Sequence, residues 1–150
     1  MADLVVTISE SVTVNGALRG STNNLTVTGI TDTFERVVTC PHSATTTIAT
    51  FSSNVYDSAG AIDTENVKYI RVSNLSTTHD MYIGVAATSY AYTMLIPAGV
   101  SHIIGQGSTI MVATSEGAVP IYEGLKDLTK IEIRPVSEND VDAEIFVASS

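Results

Sequence analysis

The sequence predicts an all-β fold, a single β-sandwich or jelly-roll-like barrel of about eight to ten short antiparallel strands. Three observations predict it. Apolar and polar residues alternate over short segments, as one-sided burial of a strand requires. Thr and Ser supply 36 residues and Val and Ile another 31, and the β-branched types among them fit a pleated sheet. Gly, Pro, Asn, Asp or Ser closes each segment, which indicates turns.

The alternating segments predict the strands in chain order. In the first of them, Leu4, Val6 and Ile8 share one face. Residues 97–99, Pro-Ala-Gly, separate two later segments and predict the turn of a hairpin, because Pro presets φ and Gly relieves the exit. The candidate strand segments are residues 4–8, 12–14, 25–28, 34–40, 45–51, 67–74, 81–85, 92–96, 100–104, 110–114, 129–134 and 143–148.

The same alternation predicts the core and the ends of the fold. Residues 125–128 predict one helical turn before a strand. The last strand lies only a few residues from the C-terminus, so we expect the terminus to be tied into the sheet. The predicted core consists of the apolar side of four strands: Ile70, Val72, Ile83, Val85, Ile131, Ile133, Ile145 and Val147.

Residues 15–24 interrupt the strand pattern. The segment is rich in Gly and Asn and has Arg19 as its single charge, so it predicts an exposed loop or arm. Such a segment, in an otherwise economical chain, is the best candidate for contact with a partner. The candidate contact residues are Asn15, Leu18, Arg19 and Asn23, together with Tyr90 and Tyr92 from a tyrosine-rich segment.

Length and charge limit the classes of function. A chain of 150 residues is the usual size of one domain, and we expect residues 1–150 to form one. Seven basic and 16 acidic residues give a net charge of -9, which repels phosphate backbones and anionic membrane surfaces. The charge therefore argues against a nucleic-acid or a membrane partner.

Cysteine usage and the N-terminus indicate a place of synthesis. Cys40 is the only cysteine, which excludes an intrachain disulfide. The first residues lack the basic and apolar regions of an export signal, and no apolar run is long enough to span a membrane. We therefore expect synthesis in a reducing cytoplasm.

Candidate catalytic and nucleotide motifs are incomplete. Residues 99–103, Gly-Val-Ser-His-Ile, lack the second Gly of a nucleophile elbow and lie between two predicted strands. The histidines His42, His79 and His102 fit no zinc-binding spacing. Residues 105–107, Gly-Gln-Gly, lack the third Gly of a dinucleotide loop. The sequence therefore predicts no enzyme and no cofactor.

An acidic turn near the C-terminus is a candidate calcium-binding site. Glu138, Asp140 and Asp142 alternate and in an extended chain would project to one side, where they could bind a hard cation. The Gly and the distal Glu of an EF-hand loop are missing. We expect a solvated turn and no metal requirement.

Three segments resemble a family of structural proteins. Residues 69–76, Tyr-Ile-Arg-Val-Ser-Asn-Leu-Ser, followed by residues 81–85 and 95–101, resemble small β-sandwich structural proteins of tailed-phage virions. The likeness covers residues 67–104 best and extends to residues 128–147. The motifs that carry it are structural, and the resemblance transfers no functional residue.

The resemblance implies a non-enzymatic capsid decoration or cement protein on the capsid surface of a virion. Its expected partners are the major capsid protein or another virion protein, and copies of itself in a homo-oligomer such as a trimer. A tail or head-to-tail adaptor module is the first alternative. A carbohydrate-binding module, using Tyr82, Tyr90 and Tyr92, is an alternative from another class, and an exposed row of aromatic rings would favour it. The absence of Trp counts against it.

Overall fold

Strands dominate the computed structural model, which describes residues 1–54, 59–105 and 124–150. Within these residues one 3-10 turn occurs, Thr64–Asn66, and it is capped by Asp63. The strands within these residues are β1 Ala2–Ser9, β2 Val12–Val14, β3 Ala17–Arg19, β4 Thr22–Ile30, β5 Asp32–Cys40, β6 Thr46–Ser52, β7 Ile62–Asp63, β8 Val67–Asn74, β9 Met81–Ala87, β10 Tyr90–Ile96, β11 Ser101–Ile104, β12 Leu128–Pro135 and β13 Val141–Ser149.

Two sheets pack face to face and confirm the predicted all-β, sandwich-like fold. One has five strands in the order β10-β9-β12-β6-β7, and the other has four in the order β11-β8-β13-β5. All pairs within them are antiparallel except β6 with β7, which is parallel. The last strand, β13, lies between β8 and β5, so the C-terminus is tied into the sheet as predicted.

The core lies between the two sheets and contains every residue predicted for it. All eight predicted core side chains have no exposed surface. They come from β8, β9, β12 and β13, two strands from each sheet. Ile48, Met81, Leu128 and Val141 extend this core.

The segment at residues 97–99 crosses between the sheets, and the predicted hairpin there is wrong. β10 pairs with β9 in the five-stranded sheet, whereas β11 pairs with β8 in the four-stranded sheet. Ile96 and Ile104 at either side are both buried in the core, so the chain keeps both in apolar surroundings by changing sheets. The hairpin partner of β10 is β9, through a two-residue turn in which Ser89 has a φ of 67°.

Asn74 joins the two segments that cross between the sheets. Its Nδ2 donates hydrogen bonds to the carbonyl oxygens of His79 (2.9 Å) and Ile96 (3.1 Å), and its Oδ1 accepts one from the Ser76 N–H at 3.0 Å. The side chain is 1% exposed. One buried amide therefore satisfies backbone groups on both crossing segments.

Two other predictions differ from the structure or lie beyond it. The helical turn predicted at residues 125–128 is wrong, because Leu128 begins β12 and inserts into the core, while residues 124–127 form no helix. The strand predicted at residues 110–114 lies outside the described residues. No helix of the length and apolarity that a membrane span requires occurs in the described part of the chain.

Candidate docking surface

The first 30 residues form a long two-stranded ribbon. β1 pairs with β4 and β2 with β3, and the register stays constant from the Leu4 and Val27 pair to the Val14 and Ala17 pair. A bond from the Glu10 N–H to the Ser21 carbonyl oxygen (2.9 Å) links the two halves. Residues 2–30 are therefore one continuous hairpin, here called the ribbon.

The end of the ribbon corrects the prediction for residues 15–24. Asn15 and Gly16 have φ values of 51° and 78°, as the type I′ turn of a two-residue hairpin requires. Residues 17–19 and 22–24 continue as strands, so the predicted loop is wrong in conformation. The segment is exposed throughout, as predicted. The Asn-Gly pair between two short β-type runs is the sequence signal that identifies this hairpin.

One face of the ribbon, here called the underside, packs at its base on the outer face of the four-stranded sheet. The outer face is the side turned away from the core. Ile30, Tyr69 and Ala148 form a second, small buried cluster there. The underside covers this cluster with three partly buried side chains, and Phe146 lies beside Tyr69 in an edge-to-face contact at 6.2 Å. Those three side chains are Leu4, Val6 and Val27.

The apolar underside continues well beyond the part that covers the sandwich. Because cross-strand partners share a face, Leu25 lies beside Val6, and Ile8, Val12 and Val14 follow along the ribbon. These four side chains are 45% to 54% exposed. Arg19, the partner of Val12, lies on the same face. The same alternation places Glu10 on this face between Ile8 and Val12, so the uncovered apolar stripe is interrupted by one carboxylate and has one cation near its end.

The opposite face of the ribbon is mostly polar. The Thr7 hydroxyl donates to Asn24 Oδ1 at 2.9 Å, and the hydroxyls of Ser9 and Thr22 are 3.0 Å apart. Leu18 lies on this face near the turn and is 74% exposed. The predicted contact residues therefore divide between faces, since Arg19 and Asn23 belong to the underside and Leu18 to the opposite one, with Asn15 in the turn.

Part of the outer face of the four-stranded sheet is left uncovered by the ribbon. A shallow groove of about 350 Å³ runs between β1 and the side chains of Glu35, Arg71 and Phe146. Beyond it, Arg71 forms an ion pair with Glu144 at 2.7 Å, and Val37, the cross-strand partner of Glu144, is 57% exposed. This uncovered area combines an exposed apolar side chain with charge.

An acidic cleft of about 430 Å³ lies at the end of the same sheet. Asp140 and Asp142 line it, together with Thr39 and residues 75–77. The Thr39 hydroxyl donates to Asp142 at 2.6 Å, and the backbone N–H and the ring of His42 both bond Asp140 at 2.9 Å. Hydrogen bonds from the backbone and ring of His42 lower the pKa of Asp140.

The acidic turn predicted as a conditional calcium site contributes only part of its carboxylates to that cleft. Asp140 and Asp142 both line it, and Glu138 does not. Across residues 1–54, 59–105 and 124–150, no three His, Cys, Asp or Glu side chains are grouped so that they could hold a metal ion.

The tyrosines proposed for sugar binding do not form one surface. By register, Tyr90 and Tyr92 share a face with the core side of β9, while Tyr82 projects to the outside. The Tyr92 hydroxyl lies 3.1 Å from His102 Nε2, and the two rings meet edge to face. Burial raises the pKa of Tyr92 and lowers that of His102. Tyr90 and Tyr92 are thus partly buried, away from the ribbon's predicted contact residues.

The Ser101 and His102 pair is not arranged for nucleophilic catalysis. The two residues are neighbours on β11 and therefore project to opposite faces of the sheet. Ser101 Oγ lies 2.8 Å from Ser73 Oγ, whereas His102 contacts Tyr92. The base is therefore directed away from the hydroxyl it would need to activate.

Comparison with protein-family models, with curated proteins and with solved structures finds no match to this chain.

Proposed function

We propose that this protein is a non-enzymatic structural component of a tailed-phage virion, a decoration or cement protein that binds and stabilises the major capsid protein lattice at the capsid surface. The single observation that carries the proposal is the ribbon. It extends from a well-packed sandwich and exposes apolar side chains along most of its length. Its construction suits attachment to another protein.

The physical reason is that a two-stranded ribbon is marginally stable by itself in water. Both long edges of the ribbon are unpaired, because β1 and β4 bond only to each other within the described residues. Open edges and exposed apolar side chains favour pairing or packing with a further chain. A partner that covers the ribbon therefore stabilises both the ribbon and the complex.

A repeating lattice suits a small attachment of this kind. A specific interface needs only roughly 1,200 to 2,000 Å² of buried surface in total, and repetition over a shell multiplies its effect. The net charge of -9 also directs the protein toward other proteins, because it repels the packaged nucleic acid.

The test adds purified protein to phage shells that lack it. We expect the protein to sediment with the shells and to raise the temperature at which they break. Failure to sediment with any part of the particle contradicts the proposal. Binding at a tail vertex alone would support the alternative, a tail or head-to-tail adaptor.

A pair of matched variants locates the contact. Leu18→Asp places a charge at a side chain that is 74% exposed on the face of the ribbon opposite the underside, and should weaken shell binding at least tenfold. Leu95→Asp introduces the same charge at a side chain that is 48% exposed on the five-stranded sheet, and should leave binding unchanged. Equal effects of the two variants would move the contact away from the ribbon.

A shortened ribbon provides a second variant. Glu10 and Ser21 face each other across the ribbon and are joined by a backbone hydrogen bond. Replacing residues 11–20 with Asn-Gly would close the hairpin at this pair with a favoured two-residue turn. The sandwich should remain folded, because none of its core residues is removed, while shell binding falls.

A further inference from the structure

We propose that the uncovered part of the ribbon's underside binds a second copy of this chain, on the uncovered outer face of its four-stranded sheet. This inference rests on the proposed function, since it names the neighbour that one face of the ribbon contacts. Leu18 on the opposite face is left for the lattice.

The proposed contact would continue an interface that the chain already forms within one molecule. Leu4, Val6 and Val27 of the underside pack on Tyr69 and Phe146 within one molecule. The same stripe continues with Leu25 and Ile8, which are 52% and 45% exposed. The same sheet face continues to Val37, which is 57% exposed. Every molecule therefore leaves uncovered both a part of the ribbon's underside and a part of the sheet face on which that underside packs.

The ribbon carries little of the net charge of the chain. The ribbon has one basic and two acidic residues, a net charge of -1, so the rest of the chain carries -8 of the total of -9. Two sandwiches therefore repel each other, whereas the ribbon can approach a second copy with little repulsion. Arg19 forms no ion pair within the described residues. The cleft lined by Asp140 and Asp142 offers this cation a complementary site.

The spacing of the contact residues on the ribbon matches the spacing on the accepting sheet. Arg19 lies four residues along the ribbon from Asn23, the cross-strand partner of Ile8. Asp140 lies four residues from Glu144, the cross-strand partner of Val37. Each separation corresponds to about 13 Å of extended chain. Ile8 can therefore lie on Val37 while Arg19 of the same ribbon enters the acidic cleft.

The surface buried by one ribbon contact can be compared with the surface that a specific interface needs. The underside from Ile8 to Val14 is about 23 Å long and about 10 Å wide, so covering it buries roughly 450 Å² over both partners. A specific interface needs about 1,000 Å². A single ribbon contact is too small, and we infer a two-fold dimer in which each copy both gives and accepts a ribbon, so that the two contacts together bury roughly 900 Å².

The first test measures the mass of the isolated protein by sedimentation equilibrium over a range of concentrations. We expect a small integer multiple of the 15.8 kDa chain. Leu25→Asp, or Val37→Asp on the accepting face, should weaken association at least tenfold. Leu18→Asp, on the face of the ribbon opposite the underside at a side chain 74% exposed, should leave it unchanged. A monomer at every concentration overturns the inference, as does equal weakening by Leu18→Asp.

The second test reverses charges on separate chains. Arg19→Asp and Asp142→Arg should each weaken self-association, because the ribbon and the cleft then repel. Mixing the two variants restores an opposite-charge pair at both contacts, and the mixture should associate at least tenfold more tightly than either variant alone. Absence of this rescue overturns the ribbon-to-cleft contact. Shell sedimentation of the same proteins is measured separately, so a monomer that still binds shells refutes this inference and retains the proposed function.

Discussion

At the scale of single residues, the buried amide of Asn74 connects the two segments that cross between the sheets. Replacing it with Ala leaves two carbonyl oxygens, those of His79 and Ile96, without their donor in a buried site. We expect Asn74→Ala to lower the free energy of unfolding by about 2 to 4 kcal/mol. Urea denaturation measures this change. Asn24→Ala removes one exposed hydrogen bond on the ribbon and is the control. Comparable losses in both variants would show that Asn74 has no special role.

His102 predicts how stability depends on pH. Burial lowers its pKa in the folded protein from the ordinary value of 6.5, so the unfolded chain takes up the proton first as the pH falls. The stability that the neutral His102 contributes is therefore fully present above the unfolded pKa of 6.5, and it is lost as the pH falls from there through the lower pKa of the folded protein. His102→Phe keeps an aromatic ring against Tyr92 and removes the titrating group. The variant should show a smaller fall in urea midpoint between about pH 7.5 and pH 5. An equal fall would assign the pH dependence to other groups.

At the scale of the elements, alternation was sufficient to predict the central strands and their buried faces. Burial on one face and exposure on the other determine that pattern in β8, β9, β12 and β13, where every predicted core residue is fully buried. Alternation also predicted residues 4–8, 12–14 and 25–28 of the ribbon as strands. It did not predict the hairpin within residues 15–24, because neither face of the ribbon is buried there. Its hairpin depends on the turn chemistry of Asn15 and Gly16 instead.

Other element predictions failed because local sequence does not determine the sheet to which a strand belongs. The Pro-Ala-Gly segment at residues 97–99 gives a turn, and the turn can join two strands of one sheet or of two. Tertiary burial of Ile96 and Ile104 decides between them. Similarly, the local preference for a helical turn at residues 125–128 yields to the burial of Leu128 in the core.

Gly20 allows the two strands of the ribbon to approach each other closely beside Glu10. Its φ is 120°, and a Cβ at this position would lie 2.1 Å from the Glu10 carbonyl oxygen. We expect Gly20→Ala to open the ribbon near the Glu10 and Ser21 bond and to speed hydrogen exchange in residues 8–24, with the sandwich unchanged. Gly105→Ala, where no atom lies within 4 Å of the added Cβ, is the control. Unchanged exchange in the ribbon would contradict this reason for the glycine.

At the scale of the whole molecule, the structure separates a stable body from an extended contact element. The sandwich buries its core completely between two sheets, while the ribbon exposes apolar side chains along its length and carries little of the net charge. Repeated copies can then be joined by ribbons although their bodies repel each other. This division is what the proposed role, reinforcement of a protein lattice, would require of the molecule.

Cryo-electron microscopy of the virion tests the central claim most directly, because it locates the chain on the particle. We predict density for the sandwich on the outer surface of the capsid, repeated with the symmetry of the shell, with the ribbon in contact with a neighbouring protein. Density confined to the tail or its vertex, or virions that lack the protein altogether, would contradict the account.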